Sequence, residues 1–152
     1  MLILSACGGS AEPKAQSSWQ TIRGPGYRFQ APEGWKAETA AKRTTASHGA
    51  ELVQVATYPL VHSYTDGLFA KVEPELRARM DDLARQSGEK VRSSKTVTAN
   101  GRRAHMFELG DTDHVDEYTF VLEGKREYLL LCRRPEGKQT DYCARLITSF
   151  QA

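Results

Sequence analysis

The chain has 152 residues, 39% of them hydrophobic and 26% charged, which is the composition of one globular domain large enough to bury its own core. Its 21 basic and 19 acidic residues leave a formal net charge of +2. That balance excludes the broad basic field on which nucleic-acid binders rely, and no apolar run approaches the roughly 20 residues of a membrane-spanning helix.

In chain order, the first feature is MLILSACGGS. Leu4-Ser5-Ala6-Cys7 looks like a bacterial lipobox, the cleavage and acylation signal of exported lipoproteins. On this reading residues 1–6 are the remnant of a signal peptide and Cys7 is the lipidation site, carrying a diacylglyceryl group and a palmitate-like acyl chain. The alternative is a native apolar terminus with an ordinary thiol. Residues 7–18 continue as GGSAEPKAQSS after the cysteine, a small, polar, Pro-containing tether. Three cysteines are awkward in an exported protein. Assigning Cys7 to a lipid leaves Cys132 and Cys143 to pair as a disulfide, the alternative being two buried thiols.

Residues 19–152 read as one domain. Trp19–Ile22 is a short first strand, Gly24-Pro25-Gly26 a turn, and Tyr27–Ala31 alternates with the period of a half-buried strand. Trp35–Glu38 resumes the alternation, residues 39–50 read as a polar loop, and Leu52–Tyr58 as a strand stopped by Pro59. Tyr58–Phe69 is then an apolar stretch expected as a loop, in which Tyr58, Tyr64 and Leu68 either fold back over the sheet edge or offer a ligand or partner surface. Phe69, Val72, Leu76, Met80 and Leu83 form one helical stripe, with the regular helix expected from Glu73 to a stop at Gly88.

Asn100-Gly101 between two strand-like runs is a type I′ hairpin signal. A second hairpin is expected from Glu117–Leu122 and Glu127–Cys132 around Glu123-Gly124-Lys125-Arg126, which completes a four-strand meander. Cys143, Leu146, Ile147 and Phe150 carry the spacing of a short terminal helix capped at Thr140 or Asp141. Strands with segregated helices argue for an α+β fold, an antiparallel sheet covered by the two helices.

Phe29-Gln30-Ala31-Pro32-Glu33-Gly34-Trp35 resembles the F-x-x-P-x-G-W opening of PsbP-like domains, and the element order resembles that group over roughly residues 19–152. The resemblance implies a PsbP-like α/β/α sandwich and a non-catalytic cell-envelope protein. The fold is shared by photosystem extrinsic subunits, a Ran-binding import factor and small bacterial lipoproteins, and no residue here matches their metal, photosystem or Ran-binding positions.

Asp111, Asp113 and Asp116 lie in the most polar segment, Asp111–Glu117, and are weak candidates for a hard cation. The segment lacks the glycine and distal glutamate of an EF-hand loop, so a plain acidic turn with no metal is the expectation. The four histidines show no metal-binding spacing, and the chain contains no CxxC, G-x-S-x-G, GxGxxG or P-loop. No cofactor and no catalytic residue are therefore expected. The resulting functional expectation is a lipid-anchored extracytoplasmic lipoprotein that binds another envelope component. A small-ligand or metal-ion module of the same fold is the alternative, and an envelope enzyme ranks below both.

Overall fold

The computed structural model describes residues 18–152, so Cys7 and nearly all of the tether lie outside the described residues. Two antiparallel sheets are built from eight strands. The hairpin β1 (Trp19–Gly24) and β2 (Tyr27–Pro32) stands alone. The main sheet contains β3 (Lys36–Ala40), β4 (Arg43–His48), β5 (Glu51–Tyr64), β6 (Lys90–Ala99), β7 (Arg102–Gly110) and β8 (His114–Pro135), in the order β3-β4-β5-β8-β7-β6. Helices α1 (Phe69–Ser87) and α2 (Tyr142–Ser149) complete the fold, with a 3-10 turn at Asp66–Leu68 before α1.

Alternation along the strands splits the core into two layers. On one face Val53, Val55, Val121, Leu130 and Cys132 meet Leu146 of α2, Phe150 just after it, and the hairpin residues Tyr27, Phe29 and Ala31. On the other, Phe107, Leu109 and Phe120 meet Leu76, Met80 and Ala84 of α1. The helices thus cover opposite faces, the α/β/α arrangement of an α+β sandwich. The F-x-x-P-x-G-W segment explains itself in these terms. Phe29 and Ala31 point into the core, and the Trp35 amide closes a turn onto the Pro32 carbonyl at 3.3 Å. Gly34 supplies the positive φ (85°) that this turn needs, and Trp35 lands on Tyr142 with ring centroids 4.9 Å apart.

Asn100 and Gly101 adopt φ of 53° and 70°, the geometry of the expected type I′ turn between β6 and β7. Four expectations need correction. Residues 39–50 are not a loop, because β4 runs through them with Thr44 and Ala46 buried. Pro59 does not stop β5, which continues to Tyr64. Helix α1 starts at Phe69 rather than Glu73, with Pro74 inside its first two turns. There is no second hairpin either: β8 is a single strand of 22 residues, and Gly124 (φ 56°) is an irregularity within it rather than a turn. The meander therefore has three strands. The first part of β8 pairs with β7 and the second part with β5.

Candidate functional site

The groove beside the outer half of β5 gathers the three residues singled out in the sequence. β5 pairs with β8 in steady register from Leu52↔Arg133 to Pro59↔Arg126, then slips before Tyr64↔Gly124. On its other side, pairing with β4 ends at Ala56. The Thr57 amide still donates to the Lys42 carbonyl in the β3–β4 turn at 3.0 Å, but Tyr58–Tyr64 continues beyond it, and among the described residues no strand pairs with that stretch on that side. Pro59 removes one backbone donor from this stretch, which suits an edge and not a sheet interior.

Between this edge and α1 lies a cavity of about 530 Å³ lined by Tyr58, Leu60, Val61, Tyr64, Leu68 and Val72, among others. Tyr58 is 37% exposed and Val61 87%, the two large hydrophobic residues most open to solvent among those described. Tyr64 is buried at the inner end, where desolvation, and next the charge of Asp66, push its phenol above the usual range. Leu68 comes from the 3-10 turn, so the surface expected from a loop is presented by a strand edge and the helix packed beside it.

One polar anchor lies in this groove. Arg79 of α1 donates two hydrogen bonds to Glu127 of β8, at 2.8 and 2.9 Å, and stands over the Phe120 ring at 5.0 Å. The Glu127 side chain is almost fully buried. The hydrogen bond to Glu127 holds the guanidinium charged against the desolvation that opposes it. Sequence reasoning missed this pair, because 48 residues separate its members and nothing local links them.

The acidic segment folds differently from the expected turn. Only residues 111–113 precede the strand, because His114 opens β8. The Asp111 carboxylate accepts the backbone N–H groups of Asp113 (2.7 Å) and His114 (3.0 Å). Those bonds, with His114 and Arg92 nearby, hold its carboxyl below the usual range. Asp113 is exposed. Asp116 is fully buried and receives two hydrogen bonds from Arg133, each 2.7 Å. The three aspartates therefore do not converge as one ligand set. The structure instead brings Asp111 and His114 to Glu89, just past the end of α1, and one donor atom of each lies within 4.8 Å of the others.

Cys132 and Cys143 form a disulfide with Cα atoms 5.4 Å apart, tying the middle of the sheet to the first turn of α2. Glu117 lies close to both sulfurs. They are bonded to each other, so this grouping is not a metal site.

This architecture is the PsbP-like fold. The solution structure of cyanobacterial PsbP (CyanoP) from Synechocystis sp. PCC 6803 superposes with a TM-score of 0.64 at 14% identity, covering 98% of both chains. A crystal structure from Bacteroides thetaiotaomicron VPI-5482 gives a TM-score of 0.59 at 13% identity, covering 87% of this chain and 47% of that one. The chain therefore spans about half the length of the Bacteroides protein. No family model matches the sequence, and no curated protein matches it. The likeness is one of fold and carries no residue roles. No helix among the described residues is long and apolar enough to cross a membrane.

Proposed function

We propose that this protein is a non-catalytic binding module of the bacterial envelope, anchored by a lipid on Cys7, that docks another envelope protein along β5. The observation that carries the docking role is the uncovered edge at Tyr58–Tyr64 beside an apolar groove. Such an edge suits an extended segment of the partner, whose backbone adds to the sheet while alternate side chains enter the groove at Tyr58, Val61 and Tyr64. Soluble proteins usually blunt a hydrophobic edge with charge, yet Tyr58–Tyr64 contains neither an acidic residue nor a Lys or Arg.

The lipobox and the flexible composition of residues 8–18 support the anchor, and the disulfide fits an oxidising compartment outside the cytoplasm. The absence of any nucleophile-elbow, zinc-protease or phosphate-loop motif supports a role in binding rather than turnover. Mass spectrometry of the protein exported by a bacterial host tests the anchor. A diacylglyceryl adduct on Cys7 is expected, and an intact N-terminus without lipid refutes it. Chemical crosslinking in intact cells tests the docking role. The wild type should give a discrete adduct with a second protein that Val61→Asp abolishes and Thr148→Asp, on exposed α2 surface, leaves unchanged. Equal adducts from both variants would overturn it.

A further inference from the structure

We infer that Glu89, Asp111 and His114 form a binding site for a first-row divalent cation of borderline character, such as Zn²⁺. The three residues come from separate places: the linker after α1, the turn before β8, and the first residue of β8. The Glu89 side chain is only 6% exposed. Its Oε2 accepts a hydrogen bond from Ser87 at 2.7 Å, but its Oε1 has no hydrogen-bond partner. A buried carboxylate oxygen without a partner is rare and costly. That oxygen points at the imidazole, 3.0 Å from His114 Nε2, and yet no aligned hydrogen bond joins the two atoms. On its other side the ring faces Asp111, with Nδ1 3.5 Å from Oδ1.

Ligands at about 2.0–2.2 Å from a tetrahedral ion lie roughly 3.4 Å from one another. The three donors sit within 4.8 Å of one another, and an ion on His114 Nε2 beside Glu89 takes its third ligand when Asp111, whose Oδ1 faces Nδ1, changes rotamer. Two carboxylates and one imidazole make a mixed oxygen–nitrogen donor set. Zinc and its neighbours accept such a set, whereas calcium and magnesium prefer oxygen alone. Three protein ligands leave a fourth position for water or for a group on a partner.

The surrounding charges fit a cation. Asp116 Oδ2 lies 3.7 Å from His114 Nε2 and adds negative potential, while its own oxygens are held by Arg133. Arg92, a cation close to Asp111, is engaged by Glu136 and by the Asp111 backbone carbonyl. The site is remote in sequence from the groove residues of β5, and its test uses neither the lipid anchor nor a partner protein, so the two proposals stand or fall separately.

The test is titration of Zn²⁺ into metal-free protein, with the disulfide intact, followed by calorimetry and by the thermal midpoint. One saturating equivalent and a midpoint raised by several degrees are expected. Glu89→Gln and His114→Gln should each weaken binding at least tenfold, while Asp113→Asn, an exposed neighbour, should bind as the wild type does. Co²⁺ loading should give visible absorption bands that His114→Gln alters. Circular dichroism in chelator confirms that each variant is folded. If a variant fails to fold, Asp111→Asn, which sits on the surface turn, replaces it. No saturable binding by the wild type, or equal binding by the ligand variants and Asp113→Asn, would overturn the assignment.

Discussion

Opening the Cys132–Cys143 disulfide should lower the thermal midpoint by about 10 °C. The bond joins residues 11 apart, and the chain-entropy relation for a closed loop of about a dozen residues gives about 3 kcal/mol at 25 °C. Unfolding entropy of about 2.1 cal/mol/K per residue, taken over roughly 135 domain residues, converts this to about 10 °C. Two perturbations separate the crosslink from the packing of its sulfurs. Refolding the wild type in a phosphine reductant removes the bond but leaves both buried thiols in place. Cys132→Ala with Cys143→Ala also removes two buried sulfur atoms from beside Leu146 and Val53, so it should fall further. Urea melts and calorimetry read both, and exchange of the α2 amides should accelerate in the reduced protein, because the bond holds α2 to β8. A reduced protein that melts within about 2 °C of the oxidised one would refute the loop-entropy reasoning.

Three further outcomes follow from buried charge and backbone geometry. Burial pushes the Glu117 carboxyl above the usual carboxylate range, against the pull of Arg134. Stability from keeping that group neutral is therefore full below its unfolded pKa and is lost as pH rises through the raised folded value. Glu117→Gln should accordingly gain midpoint over the wild type at pH 8 and show little difference at pH 4, measured by thermal melts; a gain that is equal at both would contradict the shift. Arg79→Met leaves the buried Glu127 without its two donors. It should cost about 3 kcal/mol in a urea melt, the low end for a broken buried pair because the Arg79 side chain is 42% exposed, while Glu127→Gln with Arg79→Met together should recover part of the loss. Gly124→Val forces a β-branched residue to φ of 56° within β8 and should cost about 1 kcal/mol or more, whereas Lys125→Val beside it should lie within about 0.5 kcal/mol of the wild type.

What the sequence makes legible is local. Asn100-Gly101 announces its turn through backbone conformations that few other pairs tolerate, and the F-x-x-P-x-G-W segment encodes a core residue, a turn and a packed indole within seven positions. The α1 stripe is equally plain, because a helix shows its buried face at regular spacing. β4 is hidden for a physical reason: its inward residues, Thr44 and Ala46, are small, so the alternation carries no hydrophobic contrast. It is a strand because β3 and β5 pair with it on both sides. β8 misleads in the opposite direction. Glu123-Gly124-Lys125-Arg126 has the composition of a turn, but the glycine is used to shift the strand between two neighbours. The groove was legible in its apolar residues and not in its shape, since Pro59 sits on an edge that sequence cannot distinguish from a break. Glu89 escaped notice because an isolated glutamate after a helix reads as solvated charge, and only the fold brings it beneath His114.

The proposed binding role of the β5 edge can be tested most directly inside the cell. A photoreactive amino acid placed at position 61 of the full-length, exported protein should, on irradiation, form one adduct of defined mass with an envelope protein. The same group at position 148, on the opposite helix, should form none. Adduct formation at 61 should also fall sharply when Tyr58 is changed to Ser, which removes the neighbouring aromatic contact. No adduct at position 61, or the same set of adducts from both positions, would contradict the claim that Tyr58–Tyr64 is where this protein meets its partner.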